Sequence, residues 1–226
     1  MPGLPEPVRR FAEQKNLTSA TDGKTRLQIF RYLLRKKLLN TIPVDILKII
    51  GPEAMHDREI VKLVVAQFGE TISHASKDLR ADKDLVLRAV KGSSGNGNYL
   101  VYASRELRDD PDVALAAVKS DGSALEHVSA RLRNDRKIVS TAVKSSGWAL
   151  RYASKQLRAD RKIVLMAVKQ IGVVLEFASQ DLKKDIGVVQ AAISSQDCGG
   201  SEAFEFAAKK LQRDPDLKKM LKDIEG

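Results

Sequence analysis

The chain has 226 residues, is 43% hydrophobic and carries a formal net charge of +10 at pH 7. It has no apolar run of about 18 residues, which excludes a membrane-spanning helix from its sequence, and its single cysteine excludes a disulfide framework or a cysteine-rich zinc module. The sequence starts without a recognisable secretory signal, so we predict an intracellular protein, cytoplasmic by default, with an organellar compartment as the alternative.

Positive charge is concentrated in two parts of the chain. Residues 1–56 contain ten Lys/Arg against five Asp/Glu, and residues 135–169 contain nine against two. Such basic regions either attract an anionic partner or provide solubility and favourable charges at helix ends. The charge distribution by itself leaves both roles open.

Two segments precede the main part of the sequence. Residues 1–24, with Pro2, Pro5 and Pro7, are predicted to form an irregular N-terminal arm. Apolar residues three and four apart then predict an amphipathic helix in the first half of residues 25–56. We interpret residues 25–56 as a helical N-terminal cap, because an open helical array needs an atypical end unit. A basic helix for a membrane surface or a partner is the alternative.

A unit of 25 residues recurs through the rest of the chain. It is clearest in residues 135–159 (DRKIVSTAVKSSGWALRYASKQLRA) and residues 160–184 (DRKIVLMAVKQIGVVLEFASQDLKK), which agree at nearly every apolar position. The six copies, numbered repeats 1 to 6, start at Asp57, Asp82, Asp110, Asp135, Asp160 and Asp185. A fixed period of this length indicates a stacked array. We therefore divide the chain into six repeats over residues 57–213 and a C-terminal half-repeat cap over residues 214–226.

The pattern within each repeat predicts a helical hairpin. Counting from the aspartate as position 1 and omitting insertions in repeats 2 and 6, apolar residues at positions 4, 5, 8 and 9 share one helix face, and those at 16, 19, 20 and 23 share another. Helices are therefore expected at positions 2–11 and 14–24. The aspartate suits an N-cap, and the glycine at position 13 suits a left-handed residue that ends the first helix. The predicted fold class is all-α, an α-solenoid of tandem 25-residue helical hairpins with helical caps.

The template D-x-x-I-V-x-x-A-V-K-x-x-G-x-x-L-x-x-A-S-x-x-L-R resembles a family catalogued as domain of unknown function 4116, which is abundant in protists and usually occurs in tandem. The likeness is clearest in DRKIVLMAVKQIGVVLEFASQDLKKD and extends over residues 57–213. It implies an all-helical array. It implies no activity and no catalytic residues.

No group of residues in the sequence has the pattern of a reaction centre. His56, His74 and His127 have no further ligands at metal-binding spacing, and Cys198 lacks the surroundings of an activated nucleophile. Most aspartates recur as predicted N-caps. We therefore predict that the protein is not an enzyme and has no cofactor, bound metal or small-molecule substrate.

Two kinds of recurring side chain are candidates for binding. Position 18 is aromatic or histidine in all six repeats, as His74, Tyr102, His127, Tyr152, Phe177 and Phe206. These rings either fill the groove between adjacent repeats or form an exposed aromatic ladder for partner side chains or bases. Basic residues recur at position 10, as Lys91, Lys119, Lys144 and Lys169, and at position 24, as Arg80, Arg108, Arg133, Arg158 and Lys183. Both positions are expected near helix C-termini, where the dipole favours a cation, but stacking also turns each into a basic stripe.

These features predict a non-catalytic protein-interaction scaffold, an accessory structural subunit of a larger assembly whose partners are other protein subunits. The predicted partner-binding residues lie on the basic, aromatic-bearing face of repeats 4 and 5, and are Lys144, Trp148, Arg151, Tyr152, Lys155, Arg158, Lys169 and Phe177. The alternative is an RNA-binding or ribosome-associated helical-repeat protein, with the basic stripes on phosphates and the rings stacked on bases.

Overall fold

The computed structural model describes residues 52–66, 68–91, 97–195 and 200–225. Every regular element within these ranges is helical, and the repeats stack in chain order, which confirms the predicted all-α repeat fold. The predicted N-terminal arm and most of the predicted N-terminal cap lie outside the described residues. Of the cap, the structure describes a short 3₁₀ helix, Pro52–His56, directly before repeat 1.

Each repeat opens with an α-helix, as the sequence predicts. The six first helices are Arg58–Val65, Lys83–Lys91, Pro111–Ser120, Arg136–Ser145, Arg161–Val168 and Ile186–Ile193. The N-cap role of the aspartates is confirmed. For example, the carboxylate of Asp160 accepts hydrogen bonds from the backbone amides of Lys162 and Ile163 at 3.0 and 3.2 Å. The cap satisfies amides that have no partner within the helix.

The second half of each repeat is not the single helix that we predicted over positions 14–24. It begins with a 3₁₀ helix in five repeats, Gly69–His74, Gly97–Tyr102, Gly122–His127, Gly147–Tyr152 and Gly172–Phe177, and with the short α-helix Gly200–Glu205 in repeat 6. A second short turn follows, namely Leu79–Ala81, Arg105–Arg108, Leu132–Asn134, Leu157–Ala159, Leu182–Lys184 and Leu211–Arg213.

The Ala-Ser pair at positions 19 and 20 explains why the second half is broken. In repeat 4 the backbone of Ala153 is extended, with φ −64° and ψ 155°. This lets the amide of Ser154 donate to the carbonyl of Arg133 in the preceding repeat at 2.9 Å. The Ser154 hydroxyl then accepts from the amide of Leu157 at 3.2 Å. One serine thus links two repeats through its backbone and caps the next turn with its side chain.

The stacked repeats bury a core between a layer of first helices and a layer of second halves. The first helices contribute positions 4, 5, 8 and 9, which in repeat 4 are Ile138, Val139, Ala142 and Val143, all buried. The second halves contribute the leucine at position 16, which is fully buried in the four consecutive repeats 2 to 5 as Leu100, Leu125, Leu150 and Leu175. The helix Pro215–Glu225 packs on the last repeat and buries Leu217.

The glycine at position 13 is required for close packing, and our prediction of a left-handed residue is wrong. None of the five glycines at this position in repeats 1 to 5 has a positive φ. A Cβ atom on Gly122 would lie 2.3 Å from the carbonyl oxygen of Ala142 in the next repeat, and one on Gly97 would lie 2.2 Å from that of Ala117. Each second half therefore approaches the next first helix so closely that no side chain fits.

A column of ion pairs joins the first helices. The basic residue at position 2 of one repeat contacts the position-1 aspartate of the next, with 2.6 Å from Arg58 Nε to Asp82 Oδ2 and 2.8 Å from Lys83 Nζ to Asp110 Oδ2. Arg136 pairs in this way with Asp160, and Arg161 with Asp185. We call Arg58, Lys83, Arg136 and Arg161 the paired column. Pro111 and Ile186 occupy position 2 in repeats 3 and 6 and interrupt it.

Candidate functional site

Trp148, in the 3₁₀ helix Gly147–Tyr152 of repeat 4, is one of four exposed large hydrophobic residues in the described part of the chain. It is 42% exposed. Its ring contacts that of Phe177 in repeat 5, with centroids 6.2 Å apart and planes tilted by 59°. Tilted aromatic pairs at this distance attract each other. The pair therefore bridges two repeats and fixes the orientation of an exposed tryptophan.

Arg151 lies among the same rings. Its guanidinium carbon is 5.0 Å from the centroid of the Tyr152 ring and 5.8 Å from that of Phe177. Both distances permit cation–π attraction. The guanidinium is thus held against two rings while the residue as a whole stays exposed. We call Trp148, Arg151, Tyr152 and Phe177 the aromatic cluster.

The position-18 rings differ in how far they are buried. None of the six is fully buried, since His74 and Tyr102 are exposed and the other four are half-buried. Tyr152, Phe177 and Phe206 also pack against the core. These three rings therefore pack against the core and keep part of their surface in contact with solvent.

Acidic residues lie beside this column of rings. Burial raises the pKa of the Tyr152 hydroxyl, and a hydrogen bond with the carboxylate of Glu126 raises it further. Burial also lowers the pKa of His127, which favours its neutral form, with the charges of Glu126 and Asp121 opposing and that of Arg108 adding to the shift. Glu126, Glu176 and Glu205 all occupy position 17 and are exposed. The surface around the aromatic cluster is consequently mixed in charge.

The basic residues at position 24 form a second column, which we call the unpaired column: Arg80, Arg108, Arg133, Arg158 and Lys183. All five are half-buried. The Nε atoms of the four arginines are buried and have no hydrogen-bond partner among the residues that the structure describes. Within the part of the chain that the structure describes, none of the five side chains forms a salt bridge. Burial lowers the pKa of Lys183; the charge of Glu176 opposes this and that of Arg158 adds to it.

The predicted helix-dipole role holds for position 10 but not for position 24. Lys119 and Lys144 lie in the last turns of the helices Pro111–Ser120 and Arg136–Ser145. Position 24 instead lies in a turn of three or four residues, such as Leu157–Ala159 for Arg158. So short a turn has no substantial macrodipole. The recurrence of a cation at position 24 therefore needs another explanation.

The comparison with known families can now be set beside this geometry. The sequence model of the family described as Domain of unknown function (DUF4116) matches residues 57–108, 94–132, 110–158 and 160–212. The chain belongs to this family. Neither a curated protein nor a solved structure matched it.

The DUF4116 repeats place the eight predicted site residues in four locations. Trp148, Arg151, Tyr152 and Phe177 come together as the aromatic cluster. Arg158 belongs to the unpaired column. Lys144 and Lys169 are exposed at the ends of first helices, and Lys155 is exposed in the turn after Ser154.

Two features of the DUF4116 surface were missed by the sequence analysis. The first is the paired column, whose signal was present as a basic residue directly after the aspartate in four repeats. The second is the acidic position 17, which is harder to recognise because it also holds Ser73, Val101 and Arg151. Among the described residues, no set of three or more His, Cys, Asp or Glu side chains is placed to hold a metal ion. No helix in the described ranges is long and apolar enough to cross a membrane.

Proposed function

We propose that this chain is a non-catalytic protein-interaction scaffold, an accessory structural subunit of a larger intracellular assembly, and that the aromatic cluster is its principal contact with another protein. The observation that supports this most strongly is Trp148. It is 42% exposed, is held by Phe177, and lies beside an arginine that is itself held by two rings.

The composition of the cluster favours a protein partner. Tryptophan, tyrosine and arginine are the residues that most often dominate the free energy of protein–protein binding. The contacts of Trp148 with Phe177, and of Arg151 with Tyr152, restrain the side chains before any partner binds. Restraint of this kind reduces the entropy lost on association. The cluster is therefore suited to anchor one segment of a partner.

The acidic groups of the array support a structural assignment. The aspartates at position 1 cap helices, and four of them also accept the paired column. Their pKa values, where shifted, are lowered, which keeps them ionised at neutral pH. A general acid or base usually needs a pKa near neutrality instead. This is why the proposal is non-catalytic.

RNA binding is the competing proposal. It is supported by the partly exposed rings at position 18 and by the unpaired column. Against it stand Glu126, Glu176 and Glu205, because carboxylates next to a base-stacking ring repel the phosphates on either side of that base. We therefore prefer a protein partner.

The deciding experiment captures partners of the tagged full-length chain from its native lysate, with and without ribonuclease, and analyses both protein and RNA. The test variant is Trp148→Ala, and the matched control is Ile186→Ala, which removes a 50% exposed apolar side chain at position 2 of repeat 6. We expect the wild type to capture stoichiometric amounts of partner proteins that remain bound after ribonuclease treatment. Trp148→Ala should reduce the amount captured by about tenfold or more. Ile186→Ala should retain them.

Two outcomes contradict the proposal. Loss of every partner after ribonuclease favours the RNA alternative, and equal capture by the two variants excludes the aromatic cluster as the contact. Circular dichroism and the urea midpoint show whether Trp148→Ala remains folded. Because Trp148 is the only tryptophan in the chain, its fluorescence also reports directly on the cluster when a purified partner is added.

A further inference from the structure

The unpaired column holds five cations that form no salt bridge within the described residues, although the charge of Glu106 acts on Arg108. Basic residues at position 2 pair with aspartates, and those at position 10 lie at helix C-termini. Those at position 24 have neither advantage. Glu176 is close enough to Lys183 to raise its pKa, yet the two do not form a salt bridge, and Arg158 acts on Lys183 in the opposite direction.

Folding does not require a cation at position 24. A half-buried guanidinium whose Nε has no hydrogen-bond partner is unfavourable, because the group loses water without replacing it. In repeat 6 this position is Gln212, whose amide nitrogen donates to the backbone carbonyls of Glu205 at 2.7 Å and Ala207 at 3.0 Å. A neutral side chain thus fits the same place and satisfies its own polar group. The arginines are retained at a cost that a bound anion would offset.

We propose that the unpaired column binds an extended acidic segment of the partner protein, with a carboxylate at about every third residue. This rests on the proposed function, since it names the chemistry of the partner. Packed helices lie about 8–10 Å apart, so stacking places successive cations at roughly that spacing. Three residues of extended or polyproline II chain span about 9–10 Å. Five cations therefore match about 13 residues of such a segment.

The column lies next to the aromatic cluster, which places both contacts on one surface. The amide of Ser154, two residues after Tyr152, donates to the carbonyl of Arg133, and the amide of Ser179, two residues after Phe177, donates to that of Arg158, both at 2.9 Å. An acidic segment along the column would therefore run beside Trp148. A nucleic-acid duplex matches the column less well, because its phosphates recur at about 3.4 Å along each strand, much more closely than the cations.

The test measures fluorescence anisotropy of a labelled peptide of about 13 residues with glutamate at every third position and proline and alanine between. A second peptide has the same composition with its glutamates adjacent. The test variant is Arg133→Gln/Arg158→Gln, which copies the glutamine of repeat 6. The control is Lys119→Gln/Lys162→Gln, which removes two exposed charges outside both columns.

We expect the evenly spaced peptide to bind the wild type more tightly than the clustered one. The Arg133→Gln/Arg158→Gln variant should weaken it by about tenfold, and the control by less than about twofold. Equal binding of the two peptides, or equal loss in the two variants, overturns the proposal. Tighter, column-dependent binding of oligouridylate would overturn it in favour of a nucleic acid.

This test can fail separately from the proposed function. The Arg133→Gln/Arg158→Gln variant keeps Trp148. If this variant loses the peptide but still captures the protein partners as well as the wild type does, the partners do not use the unpaired column. That result refutes the acidic segment and leaves the proposed function intact. If Trp148→Ala leaves the capture of partners unchanged, the proposal that the aromatic cluster is the contact is refuted instead. This conclusion does not depend on the peptide result.

Discussion

The two layers of the array differ in how completely the protein satisfies its own polar groups. The first helices are joined by caps and ion pairs, so that Asp160 accepts both from its own helix and from Arg136. In the second halves the backbone is also bonded across repeats, as Ser154 and Arg133 are, but among the described residues the Nε atoms of the position-24 arginines have no hydrogen-bond partner. This difference is the observation on which our proposal of an acidic partner segment rests.

The largest effect should come from filling the space at position 13. Gly122→Ala would place a Cβ atom 2.3 Å from the Ala142 carbonyl oxygen and 2.9 Å from the Ser146 amide, and backbone atoms cannot yield as a side chain would. We expect a loss of about 1–3 kcal/mol in the free energy of unfolding, measured with urea.

Gly187→Ala is the matched control for this substitution. Its Cβ atom would meet the flexible end of Arg161 at 2.9 Å and the Asp185 carboxylate at 3.3 Å. Gly187 lies within the helix Ile186–Ile193, where alanine is the better helix former, so little change or a small gain is expected. A Gly122→Ala variant as stable as wild type would contradict our account of how the layers approach.

A smaller effect is expected from the paired column, and it should depend on pH. The hydrogen bond from Arg161 is the main reason that the pKa of Asp185 lies below its ordinary value of 3.8. A carboxyl with a depressed folded-state pKa stabilises the fold above its unfolded-state pKa, and this contribution is lost as pH falls through the folded-state value. Arg161→Gln should therefore be less stable than wild type at pH 7, by less than Gly122→Ala, and the difference should vanish below the usual carboxyl range.

The exposed Lys162→Gln serves as the control, because it removes a charge from the same helix without breaking a pair. Urea unfolding of both variants and the wild type, from pH 7 down to about pH 2, separates the two effects. If Arg161→Gln is still less stable than wild type at acid pH, the aliphatic part of the Arg161 side chain, and not its ion pair with Asp185, stabilises the fold.

Sequence periodicity was sufficient to predict the array, because burial at positions 4, 5, 8 and 9 follows directly from helix geometry. The choice of Trp148 as a partner-binding residue required an exposed side chain, and Trp148 is 42% exposed. It did not predict the broken second half, because positions 16, 19, 20 and 23 suit one amphipathic helix, and only the bond from Ser154 to Arg133 in another repeat shows why the chain departs from it.

The roles of the glycine at position 13 and of the recurring cations could not be predicted from the sequence either, because they also depend on contacts between repeats. A recurring glycine is compatible with a left-handed residue or with close approach, and the choice depends on where the Ala142 carbonyl of the next repeat lies. Arg136 and Arg158 both occupy positions at which a basic residue recurs, although the structure pairs Arg136 with Asp160 and shows no salt bridge for Arg158 within the described residues. Contacts between repeats decide each of these cases, and a repeat examined alone contains no information about them.

The smallest effect on stability should come from the unpaired column, and it distinguishes the two layers most directly. Arg133→Gln/Arg158→Gln removes two arginines from repeats 3 and 4, and Arg136→Gln/Arg161→Gln removes two from repeats 4 and 5. The second pair breaks two salt bridges and should destabilise the protein at pH 7. The first breaks none, and the glutamine of repeat 6 shows that the site accepts an amide, so its unfolding free energy should stay within about 0.5 kcal/mol of wild type.

Removing Arg158 should also raise the pKa of Lys183 in part, since burial is the main cause of its depression and the charge of Arg158 the lesser one. NMR titration of Lys183 and urea unfolding at low salt measure both. If Arg133→Gln/Arg158→Gln proves as unstable as Arg136→Gln/Arg161→Gln, the arginines of the unpaired column stabilise the fold. Their recurrence would then need no acidic partner to explain it.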